Sequence, residues 1–201
     1  MNCDRIGPWY AALEHIGFGG ELQRRRCTFL SRVSDARRIL VLGEGDGRFL
    51  VRLMRESRGA AIDYADLSGR MLQLARRRCG DGINYHCGDA RTMPLPRSEY
   101  DLIVTHFFLD CFDESDAAAV VARLSEAARP RARWLISEFR EPSAWARALV
   151  RMLYLFFRVT TRLKTRRLVD HHPLLERHGF HLARSERARG GLLASELWER
   201  R

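Results

Sequence analysis

Short apolar runs alternate with longer segments of helical spacing along this chain. ILVL (39–42) is an uninterrupted apolar run, the pattern of a strand buried on both faces. FLVRLMRES (49–57) follows it with apolar residues at helical spacing. AAIDYA (60–65) reads as a second strand and MLQLARRR (71–78) as a second helix. INYHC (83–87) and DLIVT (101–105) read as the third and fourth strands. DAAAVVARLSEAA (116–128) is a strong helix that Pro130 would stop, and RWLISEF (133–139) is a fifth strand. The alternation predicts an α/β fold, a parallel sheet with helices on both faces. In such sheets ligands bind beyond the carboxyl ends of the strands, near the point where strand order reverses.

The flanks read differently. Residues 8–32 pattern as one or two helices carrying Trp9, Tyr10, Phe18 and Phe29, broken at Gly19–Gly20. After the fifth strand, Ser143 is positioned to cap a helix running to about residue 162. PLLERHGF (173–180) is a short helix ending at Gly179, and 181–200 forms two strands around Gly190–Gly191. No repeat or low-complexity linker interrupts the chain. The expected organisation is one domain: helices over 1–36, a core over 37–140, a helical insertion over 141–170, and a helix with two strands over 171–201.

Composition narrows the classes. The 201 residues, 46% hydrophobic and 30% charged, describe an ordinary globular protein with room for a core. The net charge of +10 comes mostly from arginine, including RRR at 24–26 and 76–78. Such a charge attracts nucleic acid or anionic membrane, but its dispersal along the chain favours solvated helix faces. Cys3, Cys27, Cys79, Cys87 and Cys111 are odd in number and form no CxxC pair. That argues against a disulfide framework or zinc site and for a reducing, cytoplasmic setting. No charged n-region followed by an apolar h-region opens the sequence, so no secretory signal is expected. The longest apolar stretch, 144–161, is interrupted by Arg147, Arg151 and Arg158 and does not read as a bilayer span.

GEGDG (43–47) closes the first strand, and three ligands compete for such a loop. A P-loop needs GxxxxGK[ST], which is missing. A dinucleotide fingerprint needs glycine where this chain has Arg48. Glu44 and Asp46 would moreover repel a pyrophosphate, so a cationic ligand without phosphate suits them better. Three more segments follow in order: DLSGRMLQLARRR (66–78), GDA (88–90) and YDLIVTHFFLD (100–110). Together the four pieces resemble the class I S-adenosylmethionine-dependent methyltransferases.

The resemblance implies a Rossmann-like sheet with a helical N-terminal extension and a helical insertion before the last two strands. It implies S-adenosylmethionine as cofactor, with close backbone approach at Gly43, Gly45 and Gly47. The family's acidic residue two before the first glycine is Val41 here, so Glu44 or Asp46 would serve the methionine end. Asp66 would accept the ribose hydroxyls, with Asp63 a rival at similar spacing. Asp89 would accept the adenine amino group, Ala90 would offer its N–H, and Leu67 and Met71 would pack on the base. Thr105 and His106 complete the implied cofactor set. The plain alternatives are turn and cap roles for the glycines, Asp66 and Asp89. The loop also resembles that of the spermidine synthases, but the DLSxxML segment and the lack of a second acidic cluster speak against aminopropyl transfer.

Catalytic candidates lie at the strand ends. His106, directly after the fourth strand, is the first choice of base. Asp110 would orient it or bind substrate, Glu138 and Arg140 in SEFR would hold a polar group, and Tyr10 would close the site. THFF at 105–108 stands where enzymes acting on nucleobase amines carry [DN]PP[FYW], which disfavours nucleic acid as partner. In 143–163, Arg147, Arg151, Arg158 and Arg162 share one helical face and most other positions are apolar. That suggests a lid over a lipophilic or aromatic acceptor at the inner membrane face; the alternative is a core or dimer helix. His171–His172, His178 and His181 follow no metal-site spacing, so no metal is expected and solvated histidines are the better account. The expected function is methyl transfer from S-adenosylmethionine to oxygen or carbon of a small, hydrophobic acceptor. RNA or protein methylation and non-catalytic cofactor binding are the alternatives.

Overall fold

The computed structural model describes residues 20–161 and 168–201. Its centre is a seven-stranded sheet. The strands are β1 (Arg38–Leu42), β2 (Ala61–Asp66), β3 (Asn84–Cys87), β4 (Tyr100–His106), β5 (Ala128–Phe139), β6 (Phe180–Ala188) and β7 (Leu193–Arg200). The helices are α1 (Glu21–Cys27), α2 (Arg48–Glu56), α3 (Gly69–Cys79), α4 (Glu114–Ala127), α5 (Ala144–Thr161) and α6 (His172–Arg177). Strand order is β3-β2-β1-β4-β5-β7-β6. β1 to β5 pair in parallel, and β7 runs antiparallel between β5 and β6. The order reverses between β1 and β4, so their carboxyl ends flank the expected binding crevice.

The period of two along β1 explains why ILVL must lie at the centre. Ile39 and Val41 join a core with Phe49, Leu53, Leu102 and Val104. Leu40 and Leu42 join the opposite core with Ile103, Val120, Leu124 and Trp134. A strand covered on both faces has no room for polar alternation. Val41 is therefore committed to packing, with none of its surface exposed.

Two boundaries differ from the sequence reading. β5 begins at Ala128, whose backbone is already extended at φ −76°, ψ 137°. Pro130 thus lies inside the strand and does not end α4. A register shift between Tyr100 and Leu102, with Arg131 at φ 62°, accommodates it, as bulges accommodate proline in strands. The helical pattern expected through residue 32 ends at Cys27, and Leu30–Val33 forms a tighter 3-10 turn. Gly20 caps α1 at φ 79°; Trp9, Tyr10 and Phe18 lie outside the described residues. Ser143 caps α5 as expected, its Oγ accepting the Ala146 N–H at 3.4 Å. Cys27, Cys79, Cys87 and Cys111 carry no disulfide.

The loop between β1 and α2 positions the site. Gly43, Gly45 and Gly47 sit at φ 62°, 91° and 88°, which L side chains rarely adopt. Glu44 turns inward between them. Its Oε2 accepts the Gly47 N–H at 2.8 Å and its Oε1 the Phe49 N–H at 2.9 Å, satisfying donors at the start of α2. Gly47 also lies under α3: a Cβ there would stand 2.7 Å from the Ala75 Cα.

Replacing Gly47 by Ala should cost about 1–3 kcal/mol, from the left-handed backbone and the contact with α3, read as a lower urea midpoint. Glu44 gives a pH-dependent test. Burial raises its carboxyl to about 7 from an ordinary value near 4.5, opposed by the Arg26 charge and the two N–H donors. A raised value means the folded state holds the proton more tightly. The stability from this group is present below about 4.5 and lost as pH rises through about 7. The gap in unfolding free energy between wild type and Glu44→Gln should therefore narrow from pH 5 to pH 8. A constant gap would assign the carboxylate an ordinary titration.

Candidate active site

Seen from the carboxyl ends of the strands, the glycine loop, the end of β2 and the segment after β4 form one neighbourhood. Asp66 ends β2. Its Oδ1 accepts the Ser68 N–H at 2.8 Å, and its Oδ2 lies 2.8 Å from the Tyr64 hydroxyl. That hydroxyl also accepts the Gly45 N–H at 3.0 Å and lies 2.8 Å from the Gly45 carbonyl. Its single proton serves one of the two oxygens. Tyr64 thus locks the glycine loop to Asp66. The sequence reading missed it, although Ile62, Tyr64 and Asp66 share one strand face by the period of two.

Asp63 takes no part in this neighbourhood. It is buried, accepts the Tyr100 hydroxyl at 2.8 Å and Asn84 Nδ2 at 2.9 Å, and pairs with Arg38 at 2.8 Å. Of the two rivals, only Asp66 stands at a strand end with part of its surface exposed. A carboxylate offers about four acceptor positions, so its anchoring to Ser68 and Tyr64 is compatible with holding a diol. Leu67, 39% exposed, stands beside it, whereas Met71 is buried and donates its N–H to Ser68 Oγ at 3.2 Å. After β3, Asp89 is gripped by the Arg91 guanidinium at 2.6 Å and accepts the Arg91 N–H at 2.9 Å. Ala90 is buried, and its carbonyl accepts from Arg123.

Other expectations are corrected by the geometry. Glu44 and Asp46 do not line the loop for a cation. Glu44 uses both oxygens on backbone N–H groups, and Asp46 pairs with Arg48 at 2.9 Å and Arg78 at 3.3 Å. Both carboxylates bind the loop to itself and to α3. Thr105 is fully buried and accepts the Trp134 indole N–H at 2.8 Å, so its side chain belongs to the core. His106 is buried edge-on to Phe49 of α2, ring centroids 4.9 Å apart. Burial and the Arg26 charge hold its imidazole well below the ordinary value. A proton arriving there would sit desolvated beside a guanidinium, which makes His106 a poor base.

Arg26 itself was read as part of a solvated run. It is 2% exposed, on the stripe of α1 that buries Leu22, and its guanidinium carbon stands 5.2 Å from the Phe107 ring centroid. The spacing of Leu22 and Arg26 by four carried that signal. α1 is tied down at its end, where the Arg25 carbonyl accepts from Ser137 Oγ at 3.1 Å and Ser195 Oγ at 2.9 Å. Phe108, also missed, covers Gly43: a Cβ on that glycine would lie 2.3 Å from the Phe108 ring.

The carboxyl end of β5 carries a second acidic centre. Glu138 is 4% exposed, and its Oε1 accepts the N–H groups of Phe108 at 3.1 Å and Leu109 at 3.0 Å. Its Oε2 has no hydrogen-bond partner among the described residues. Burial and the Asp110 charge push its carboxyl well above the ordinary value, and burial raises Asp110 to about 6. Tyr154 of α5 donates to the Asp110 carbonyl at 2.9 Å. Tyr10 lies outside the described residues.

Arg140 does not pair with Glu138. It reaches Glu196 of β7 at 2.7 Å. His171 Nε2 lies 2.8 Å and His172 Nε2 3.0 Å from the same carboxylate, which also accepts the Trp198 indole N–H at 3.0 Å. Burial alone would raise Glu196, but His171 and Arg140 hold it well below the ordinary range. His171 is buried, and His172 is only partly exposed. His171, His172 and Glu196 bring metal-ligand atoms within 4.8 Å of one another, with the Arg140 guanidinium in hydrogen-bond reach of both His172 and Glu196. The carboxylate's charge is met without an ion.

Comparison with known proteins gives this geometry a family. Residues 39–131 match the methyltransferase-domain family. A demethylmenaquinone methyltransferase of Thermotoga maritima is 29% identical over 142 residues, 70% of this chain and 61% of that protein. The ubiquinone/menaquinone biosynthesis C-methyltransferase of Desulfotalea psychrophila is 25% identical over 143 residues, 70% of this chain and 57% of that protein. The chain thus spans less than two thirds of these relatives' length. Among solved structures, magnesium protoporphyrin IX methyltransferase of Synechocystis, with bound S-adenosylhomocysteine, superposes with a TM-score of 0.66 at 17% identity, covering 91% of this chain and 84% of that one. Strand order, the glycine loop on β1, the acidic end of β2 and the matched sequence agree: residues 39–131 form a methyltransferase domain of the class I S-adenosylmethionine-dependent type, and its cofactor is S-adenosylmethionine.

Proposed function

We propose that this chain methylates a small, lipophilic or aromatic acceptor at oxygen or carbon. The observation that carries this reading is an acidic pair, half-buried Asp110 in the turn after β4 and buried Glu138 at the end of β5, whose Oε1 accepts the N–H groups of Phe108 and Leu109 next to the glycine loop. The relatives named for quinone biosynthesis support an acceptor of this class.

The residues divide the work. Asp66, set by Tyr64 and Ser68, receives the ribose hydroxyls, and the backbone at Gly45 lies against the cofactor, while Phe108 fills the space over Gly43. Leu67 and Ala90 pack against the base, with Asp89 held in place by Arg91. When bound, S-adenosylmethionine supplies an electrophilic methyl group. Phe108 and the inner face of α5 exclude water from the acceptor. Two close carboxylates in a buried site cannot both ionise readily, so the pair shares a proton near neutral pH. In its singly ionised form it takes the proton from the acceptor's reacting O–H or C–H, leaving the electron pair on that atom. His106 has no part in the proton transfer. Its depressed value and its packing on Phe49 give it a structural role.

Calorimetry with S-adenosylhomocysteine tests the cofactor end. Wild type should bind, and Asp66→Ala should lose about tenfold or more, as expected when a charge-assisted hydrogen-bond acceptor is removed. Absence of binding by wild type would end the methyltransferase reading. The acidic pair is tested by kinetics with a quinol or phenol acceptor. Asp110, the member that ionises first, carries the charge, so Asp110→Asn should lower kcat by about 100-fold or more with unchanged S-adenosylhomocysteine affinity. A base works only when deprotonated, so wild-type kcat/KM should rise with pH through about 6 and fall away below it. That limb should shift in Glu138→Gln, which removes the coupled neighbour. A His106→Phe variant that lost the limb instead would return the base to His106.

A further inference from the structure

The two sides of α5 meet different surroundings. Ala146, Val150 and Tyr154 are buried against Leu22, Leu192 and Leu193. The outer side carries Trp145 and Met152, 54% and 59% exposed, with the exposed Ala148 between them in sequence. At 100° per residue these three form one continuous stripe. Arg147 and Arg151, both exposed, form a second stripe one turn apart. Large apolar side chains with this exposure are few among the described residues, Leu67, Trp145, Met152 and Leu182, and two of them share this short face.

The surroundings add positive charge. The Trp145 ring lies beside the Arg189–Gly191 turn, 3.9 Å from where a Cβ on Gly190 would stand. Arg187 and Arg189 are exposed at that turn. Glu141, just before the helix, and Glu186, paired with Arg25, are exposed acidic residues near it. A tryptophan and a methionine flanked by arginines on an amphipathic helix match the interface of a bilayer with anionic headgroups. The aromatic and thioether groups enter the acyl boundary, while the guanidinium groups meet lipid phosphates. No described helix is long and apolar enough to cross a membrane, so the contact is one of surface docking.

We propose that the outer face of α5 docks the protein on an anionic lipid surface. The inference rests on the reading of a lipophilic acceptor, and it names where that acceptor is met. The inner face of the same helix reaches the acidic site through Tyr154, so docking would set the acceptor site against the membrane.

Cosedimentation of the full chain with vesicles tests this. Vesicles of phosphatidylglycerol mixed with phosphatidylcholine should bind the protein, pure phosphatidylcholine should bind it at least about tenfold more weakly, and raised salt should weaken binding. The double variants Arg147→Glu/Arg151→Glu and Trp145→Ser/Met152→Ser should each lose about tenfold or more in vesicle affinity, with S-adenosylhomocysteine binding unchanged. Wild-type binding that both double variants retain, or no binding at all, overturns the docking face while leaving the cofactor reading intact. Conversion of a dimer to a monomer by the Trp145→Ser/Met152→Ser variant also overturns it, by assigning the face to a second copy. Loss of S-adenosylhomocysteine binding by wild type would instead strike at the proposed function.

Discussion

The turn from β1 into α2 depends on one buried carboxylate. Glu44 accepts two backbone N–H groups at the start of the helix while three glycines around it take left-handed backbone. Without that acceptor the loop would bury two donors unsatisfied, at a cost of about 1–3 kcal/mol each. With it, the loop is stiff enough for Tyr64 to lock Gly45 to Asp66 and for α3 to pack against Gly47. The glycine loop at the carboxyl end of β1 is thus held from beneath by buried side chains.

Four buried carboxylates show how environment sorts one chemical group into different tasks. Asp63 and Glu196 are surrounded by donors and stay ionised, stitching β2 to β4 and β7 to α6. Glu44 has two donors and the Arg26 charge, yet its burial raises its proton affinity to about 7. Glu138 has backbone donors on one oxygen only and a second carboxylate nearby, so its affinity rises further. Burial disfavours the charged form in all of them, and the number and charge of the partners decide how far it is repaid.

The covering elements repeat this division between inside and outside. α1 is anchored through the Arg25 carbonyl and buries Arg26, although its neighbours Arg24 and Arg25 form ion pairs with Glu21. α5 buries small and aromatic residues inward and presents tryptophan, methionine and arginine outward. A run of like residues in sequence is therefore split by helical geometry into groups with unrelated roles.

The architecture was legible in the chain because its signals are local and periodic. Continuous apolar runs such as ILVL mark central strands, and the glycine loop followed by an acidic strand end marks the crevice. What each charged side chain does there was not legible, because that depends on partners distant in sequence. Asp63 and Asp66 differ by three positions, yet Tyr100, Arg38 and Asn84 draw one into the interior and leave the other at the site. His106 suits a base by residue type and position, but it is buried against Phe49, and burial and the Arg26 charge lower its proton affinity. His171 and His172 looked solvated until β7 brought Glu196 beneath them. The sequence by itself determined the strand order's local ingredients and the family. The tertiary structure decided protonation and burial, because desolvation and Coulomb interactions act through space and not along the chain.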